Sequence, residues 1–219
     1  MISPVLRKEL RIELRSRYGT SAVVMFLLVT VVTIAFAAPG EQIPPPLMSA
    51  FFWITVFFGT MTGLSRSFVS EEERGTALLL RLYAKPESVF WGKFIYNLLL
   101  SLSLAFTAVI IFAFFFKDFI VRDYAMFYLQ LLLGILGTAG IVTILSALVA
   151  RASQKGALLP VLALPVLFPL VIAVTDATTI TMESSASWVA VRGDILVLFS
   201  FDVALILISY VLFNFIWRD

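Results

Sequence analysis

The chain contains no cysteine and no histidine. Without cysteine there is no disulfide, no thiolate nucleophile and no thiolate-held metal. Without histidine the commonest general base and the commonest haem and metal ligand are missing too, and no Ser-His-Asp triad can be assembled. Charge is also scarce. Asp, Glu, Lys and Arg make up 14% of the 219 residues, against about 25% in soluble proteins. The net charge of +2 is too small to argue for a nucleic-acid partner. No P-loop is present, since Gly92-Lys93 lacks the earlier glycine, so ATP is not bound through that motif. Metalloprotease motifs and paired intramembrane aspartates are absent. The sequence therefore offers no catalytic residues and no metal ligands, and an intramembrane enzyme is disfavoured.

What the chain does have is apolar length. Hydrophobic residues make up 61% and the mean hydropathy is +1.02. This composition predicts an all-α membrane protein in a single transmembrane domain over 1–219. Six spans are read at 21–38, 47–64, 94–116, 124–149, 157–175 and 195–217. The first, at about 27 Å, just crosses the hydrocarbon. Pro39-Gly40 is not a small-x-small cleavage site and further spans follow, so no cleaved signal peptide is expected. Residues 3–18 precede the first span. Leu6, Leu10 and Leu14 repeat every four residues, and so do Arg7, Arg11 and Arg15; Glu9 and Glu13 are placed to pair with the basic row. That pattern fits an amphipathic helix lying flat in the membrane interface, or a soluble helix awaiting a partner.

The longest charged interval is 66–86. Ser70 with Glu73 fits a capping box, and Glu71, Glu72 and Glu73 sit where a helix N-terminus favours negative charge. Arg74, Gly75 and Thr76 follow, and Leu78, Leu79 and Leu82 supply an apolar side. A short amphipathic helix outside the hydrocarbon is expected, either as a docking device or as a solvated connector.

Further features lie within the spans. Gly59 with Gly63, and Gly134, Gly137 and Gly140, are candidate helix-packing positions. Pro160, Pro165 and Pro169 interrupt the fifth span and predict a bent helix covered by protein on at least one side, acting as a hinge or as a static kink. Asp176 stands at the end of that span and Asp202 about a third of the way into the sixth. Asp202 is either a functional intramembrane acid or a group reaching the outer interface or a neighbouring Ser or Thr. Residues 176–194 read as the largest outside loop, with a short helix in the outer interface as an alternative and Trp188 and Val189 as interface residues, and Phe90 and Trp91 read as interface anchors.

Six spans put both ends on one side. Thirteen basic residues fall on the side of the termini and the 66–93 interval, and three on the other. The positive-inside rule then places both ends in the cytoplasm. A multi-pass body with few buried ionisable groups and an ordered cytoplasmic helix between spans two and three suits a membrane subunit driven by a separate ATPase.

The layout resembles the type-2 ABC exporter permeases. More closely, it is similar to the CcmB family, the permease subunits of the haem exporter of cytochrome c maturation. Three stretches carry the resemblance: Leu6 to Arg15; Phe68 to Pro86 with Glu73, Gly75 and Thr76; and the proline-rich Leu158 to Leu170 followed by Asp176. The family commonly has an acid two residues after the Gly-Ser/Thr pair, where this chain has Leu78. The resemblance implies a role in haem export or haem-chaperone release in the bacterial inner membrane. It implies a homodimer of this chain in the lipid bilayer, an ABC ATPase subunit of the CcmA type bound at the coupling helix, and a haem-handling membrane partner of the CcmC type. ATP would act through the ATPase subunit. With neither His nor Cys, tight haem binding by this chain is not expected. The rival readings are a permease of the same architecture for a drug, lipid or glycan, and a non-transporting scaffold.

Overall fold

The computed structural model describes residues 3–16, 18–38, 40–64, 68, 71, 75–76, 80, 82–150, 155–184 and 188–218. Among these, seven helices account for almost all of the regular structure: α1 (Ser3–Ser16), α2 (Tyr18–Ala37), α3 (Pro45–Leu64), α4 (Pro86–Phe115), α5 (Tyr124–Val149), α6 (Lys155–Glu183) and α7 (Trp188–Arg218). Local chemistry sets several of the ends. Pro86 opens α4 at its first turn, where a missing N–H costs nothing. Asp123 caps α5 by accepting the Met126 N–H at 3.1 Å.

Five helices are long and apolar enough to cross a membrane, and Ser21–Ala37 adds a shorter apolar one. The chain is a multi-pass membrane protein. Helices α4 to α7 are 30, 26, 29 and 31 residues long. At 1.5 Å per residue they measure about 39 to 47 Å, well beyond the hydrocarbon alone.

That extra length changes the picture of the outer loop. Residues 176–183, expected in a loop, continue α6 as helix. Their threonines read as loop-formers, yet each buried hydroxyl finds a partner. Trp53 Nε1 donates to Thr178 at 2.8 Å, Ser49 and Thr179 share a bond of 2.8 Å, and Gln130 donates to Thr181 at 3.0 Å. Arg122 then ties the helix end to the chain before α5. Its backbone N–H donates to Thr181 O at 2.9 Å and its Nε to Met182 O at 3.1 Å. The three prolines do not break α6 either, which is one helix throughout; Pro165 and Pro169 lie on its exposed side. The side chain of Pro160 lies outside the described residues. The opposite side of this span is covered by protein as expected, with Leu159, Ala163, Leu167 and Leu170 buried where the helix packs on α3, α5 and α7.

Helix α5 is the centre, packed by α4, α6 and α7 and touching α3. Its glycines permit this, though not as a single seam. A Cβ at Gly134 would lie 2.6 Å from the Trp53 ring of α3 and 2.8 Å from Val174 of α6. At Gly137 it would run into Asp202 of α7 and Leu170 of α6, and at Gly140 it would lie 2.6 Å from Leu205 of α7. A spacing of three falls short of a full turn, so successive glycines rotate around α5 and face three neighbours in sequence. Gly59 and Gly63, spaced by four, stay on one side. Cβ atoms there would sit 3.2 Å from Leu27 and 3.0 Å from Val23, both on α2.

Aromatic clusters mark the two ends. Phe52, Trp53, Phe112, Phe119 and Phe127 interlock near the α4–α5 connection, with Phe52 and Phe112 edge to face at 5.4 Å. At the opposite end Phe90 packs on Phe213 at 5.4 Å, and Phe68 on Trp217 at 6.2 Å. Phe90 is therefore a core residue rather than an interface anchor. The second cluster gathers the charged interval, the start of α4 and the end of α7, and α1 packs on the same stretch of α4.

Candidate functional site

The site grows from one lysine. Lys93 is the only charged residue between Glu87 and Lys117, and it lies in the third turn of α4, wholly buried. A buried ammonium must be paired, because its bare desolvation cost is several kcal/mol or more. Lys93 Nζ lies 3.0 Å from Glu9 Oε1 of α1 and 3.3 Å from Glu71 Oε1 of the charged interval. The Phe68 ring covers it, with the centroid 4.4 Å from Nζ. Lys8 completes the group by donating to Glu71 Oε1 and sitting 3.7 Å from Glu9 Oε1. One turn further along each helix, Tyr96 Oη donates to Glu13 Oε2 at 3.1 Å. Two cations and two carboxylates thus join three segments that lie far apart in sequence.

The cluster overturns one expectation about α1. Glu9 and Glu13 do not pair with the arginine row; they turn inward with Val5 and dock the helix on α4. Residues 5, 9 and 13 share one face at four-residue spacing. Leu6 and Leu10 pack partly against the body, while Leu14 is 75% exposed beside the exposed Arg7, Arg11 and Arg15.

The two carboxyls respond in opposite ways. Burial raises the Glu9 carboxyl above its ordinary value; Lys93 pulls against this, and the neighbouring Glu71 charge adds to the rise. Burial also pushes Glu71 up, but Lys93 and Lys8 outweigh it and hold that carboxyl below its ordinary value. Glu71 Oε2 is buried with no hydrogen-bond partner among the described residues.

The charged interval is not one uninterrupted helix. Gly75 has φ +67, and the Thr76 N–H donates to Glu71 O at 3.0 Å. This is the six-to-one bond of a Schellman stop, with the glycine in the left-handed position that ends a helix. A new turn begins at Thr76, whose carbonyl accepts from Leu80 N at 3.1 Å. Glu71 therefore sits at the end of a helical turn, where it was expected at the beginning of one. Past the stop, Leu80 packs inward, while Leu82 and Tyr83 are 73% and 89% exposed. Of the other residues named in this interval, Ser70, Glu72, Glu73, Arg74, Leu78 and Leu79 lie outside the described residues.

The intramembrane acids part company. Asp176 is exposed on α6, seven residues before the helix end. Asp202 is buried against Gly137 and Leu170, with no hydrogen-bond partner for either oxygen among the described residues. Among the described residues it bonds no Ser or Thr. Because α7 begins at Trp188, Asp202 lies about 21 Å along the helix, near its middle.

Sequence reading missed Lys93 and the inward roles of Glu9 and Glu13. The available signal was a lone lysine inside Phe90-Trp91-Gly92-Lys93-Phe94, a place where a charge has no water to face. No curated protein matches the chain. The family model described as CcmB protein matches residues 1–215. With nearly the whole length matched, the chain belongs to the CcmB family.

Proposed function

We propose that this chain is the permease subunit of an ATP-driven complex acting in haem export or haem-chaperone release for cytochrome c biogenesis. Family membership supports the coarse part, a non-catalytic membrane component of a haem-exporting ABC system. The observation that carries the finer part is the Lys93 cluster. It fastens the charged interval and α1 to the start of α4, so a push on the interval reaches a membrane helix through buried ion pairs. In this reading α2 is the sixth span, both ends face the cytoplasm of a bacterial inner membrane, and two copies form the permease. An ATPase subunit docks on the interval, and a haem-handling membrane protein completes the assembly. ATP acts through the ATPase, and this chain holds no haem tightly.

We place the docking contact elsewhere in the interval than the glutamates. Glu71 faces Lys93, so it is a positioning residue rather than a surface contact. Among the described residues of the interval, Leu82 and Tyr83 are the exposed apolar pair, and in this reading they form the docking face. Changing both to Asp should abolish co-purification of the ATPase and leave the thermal unfolding of this chain unchanged. Undiminished co-purification would remove the docking assignment. For the role itself the measurement is haem staining of c-type cytochromes in a strain deleted for this chain. Loss of covalent haem, restored by the wild-type chain and not by the Asp variant, supports the reading. Normal cytochromes in the deletion favour a permease for another cargo.

A further inference from the structure

Glu9 and Glu13 are used internally, and this leaves α1 with an outer surface of one sign. Arg7, Arg11 and Arg15 are all exposed, and at four-residue spacing they stand about 6 Å apart along the helix. Among the described residues, every ion pair of this region goes to Lys8 or Lys93. Beside the arginines runs the leucine row, ending in the exposed Leu14. The two rows meet in an open groove of about 470 Å³ lined by Arg7, Leu10, Arg11, Leu14 and Arg15. An exposed leucine calls for hydrocarbon, and a guanidinium next to it calls for an anion. The boundary between acyl chain and headgroup supplies both within one side-chain length. Guanidinium also matches a phosphodiester bidentately, which an ammonium cannot do.

We propose that Arg7, Arg11 and Arg15 form a binding row for the headgroups of anionic phospholipids, with Leu14 seated among the acyl chains. The proposal rests on the reading of α1 as an interfacial helix. It adds a ligand class, and a reason for it: the carboxylates that would neutralise the row are committed to Lys93 and Tyr96.

The test uses the full chain with its complex in nanodiscs of equal phosphatidylcholine and phosphatidylglycerol. Lipids that stay with the protein after detergent extraction are counted by native mass spectrometry. The expected result is enrichment of phosphatidylglycerol. The combined Arg7→Gln, Arg11→Gln, Arg15→Gln variant should lower it about tenfold or more, since each basic residue at an anionic surface contributes roughly fivefold. The triple Lys variant should fall in between. Should the Gln variant fail to accumulate, salt titration of the wild type decides: enrichment must fall between about 50 and about 500 mM salt. Equal retention of the two lipids, or an enrichment insensitive to both charge removal and salt, overturns the proposal. A Gln variant that keeps its phosphatidylglycerol but loses the ATPase gives the row to a protein partner, and also overturns it. Normal cytochromes in the deletion strain would defeat the cytochrome-maturation role and leave the lipid result standing.

Discussion

Lys93 ties together pieces of chain that lie far apart in sequence, so the residue-scale predictions start there. Lys93→Met leaves Glu9 and Glu71 facing each other in a buried site, and should cost about 3–5 kcal/mol. A denaturant titration in detergent reads this directly. Adding Glu9→Gln and Glu71→Gln removes the stranded charges and should recover more than half of the loss. The carboxyls also predict a pH signature. Glu71 is held low, so its contribution is complete above the ordinary value of 4.5 and is lost as pH falls through the lowered one. Glu9 is held high, so its contribution is present below 4.5 and is lost as pH rises through the raised one. Unfolding measured against pH should therefore show a weaker acid-side fall in Glu71→Gln, and a weaker loss above pH 4.5 in Glu9→Gln. Elsewhere in the bundle, a methyl group at Gly137 meets both Asp202 and Leu170. Gly137→Ala should cost about 1–3 kcal/mol, and Asp202→Ala in the same chain should return part of it. Additive losses in that double-mutant cycle would argue against the contact.

At the scale of elements, α6 separates what patterning shows from what packing decides. Its apolar run and its prolines were legible as a membrane helix under strain. Its last two turns were not, because Thr178, Thr179 and Thr181 look like loop residues until Trp53, Ser49 and Gln130 are brought beside them. Thr178→Val should strand the Trp53 N–H and cost about 1–3 kcal/mol, with hydrogen exchange rising first in 176–183. The prolines pose a sharper question. Pro165 and Pro169 are exposed, so alanine at either meets no neighbour in the chain and restores a backbone donor. Pro165→Ala should raise the unfolding temperature. If cytochrome maturation falls at the same time, the proline serves as a hinge; if maturation is unchanged, it has no hinge role. Helix α1 shows the same division. Its Leu and Arg rows could be read from spacing, but the direction of Glu9 and Glu13 could not, because a helix can satisfy its acids on its own surface or across a contact.

For the molecule as a whole, the cluster joins α1, the charged interval and α4 at one end of the bundle. The end bearing Phe68, Phe90, Phe213 and Trp217 is aromatic, closely packed and tied by ion pairs to α1. Leu82 and Tyr83 project just outside it. Reversing Glu71, Glu72 and Glu73 together, the obvious test from sequence, would mix two effects, since Glu71→Lys places a third cation beside Lys8 and Lys93. Glu71→Lys alone should lower the yield of folded chain, whereas the Leu82 and Tyr83 substitutions should leave it intact and abolish only the ATPase. Size-exclusion recovery together with co-purification separates the two.

The sequence by itself determined the solvent and the class of structure. A chain with so few charges and such long apolar runs can satisfy its backbone in lipid only as helices, and the missing His and Cys remove the commonest chemistries whatever the fold. It also marked the charged interval as lying outside the hydrocarbon, while the helix stop at Gly75 came only from the structure. Tertiary structure decided which charges are internal. Glu9, Glu71 and Lys93 are separated by 62 and 22 residues, and no local period relates them. Their pairing exists only because α1, the interval and α4 meet at one end of the bundle, where burial makes an unpaired charge too costly to leave alone.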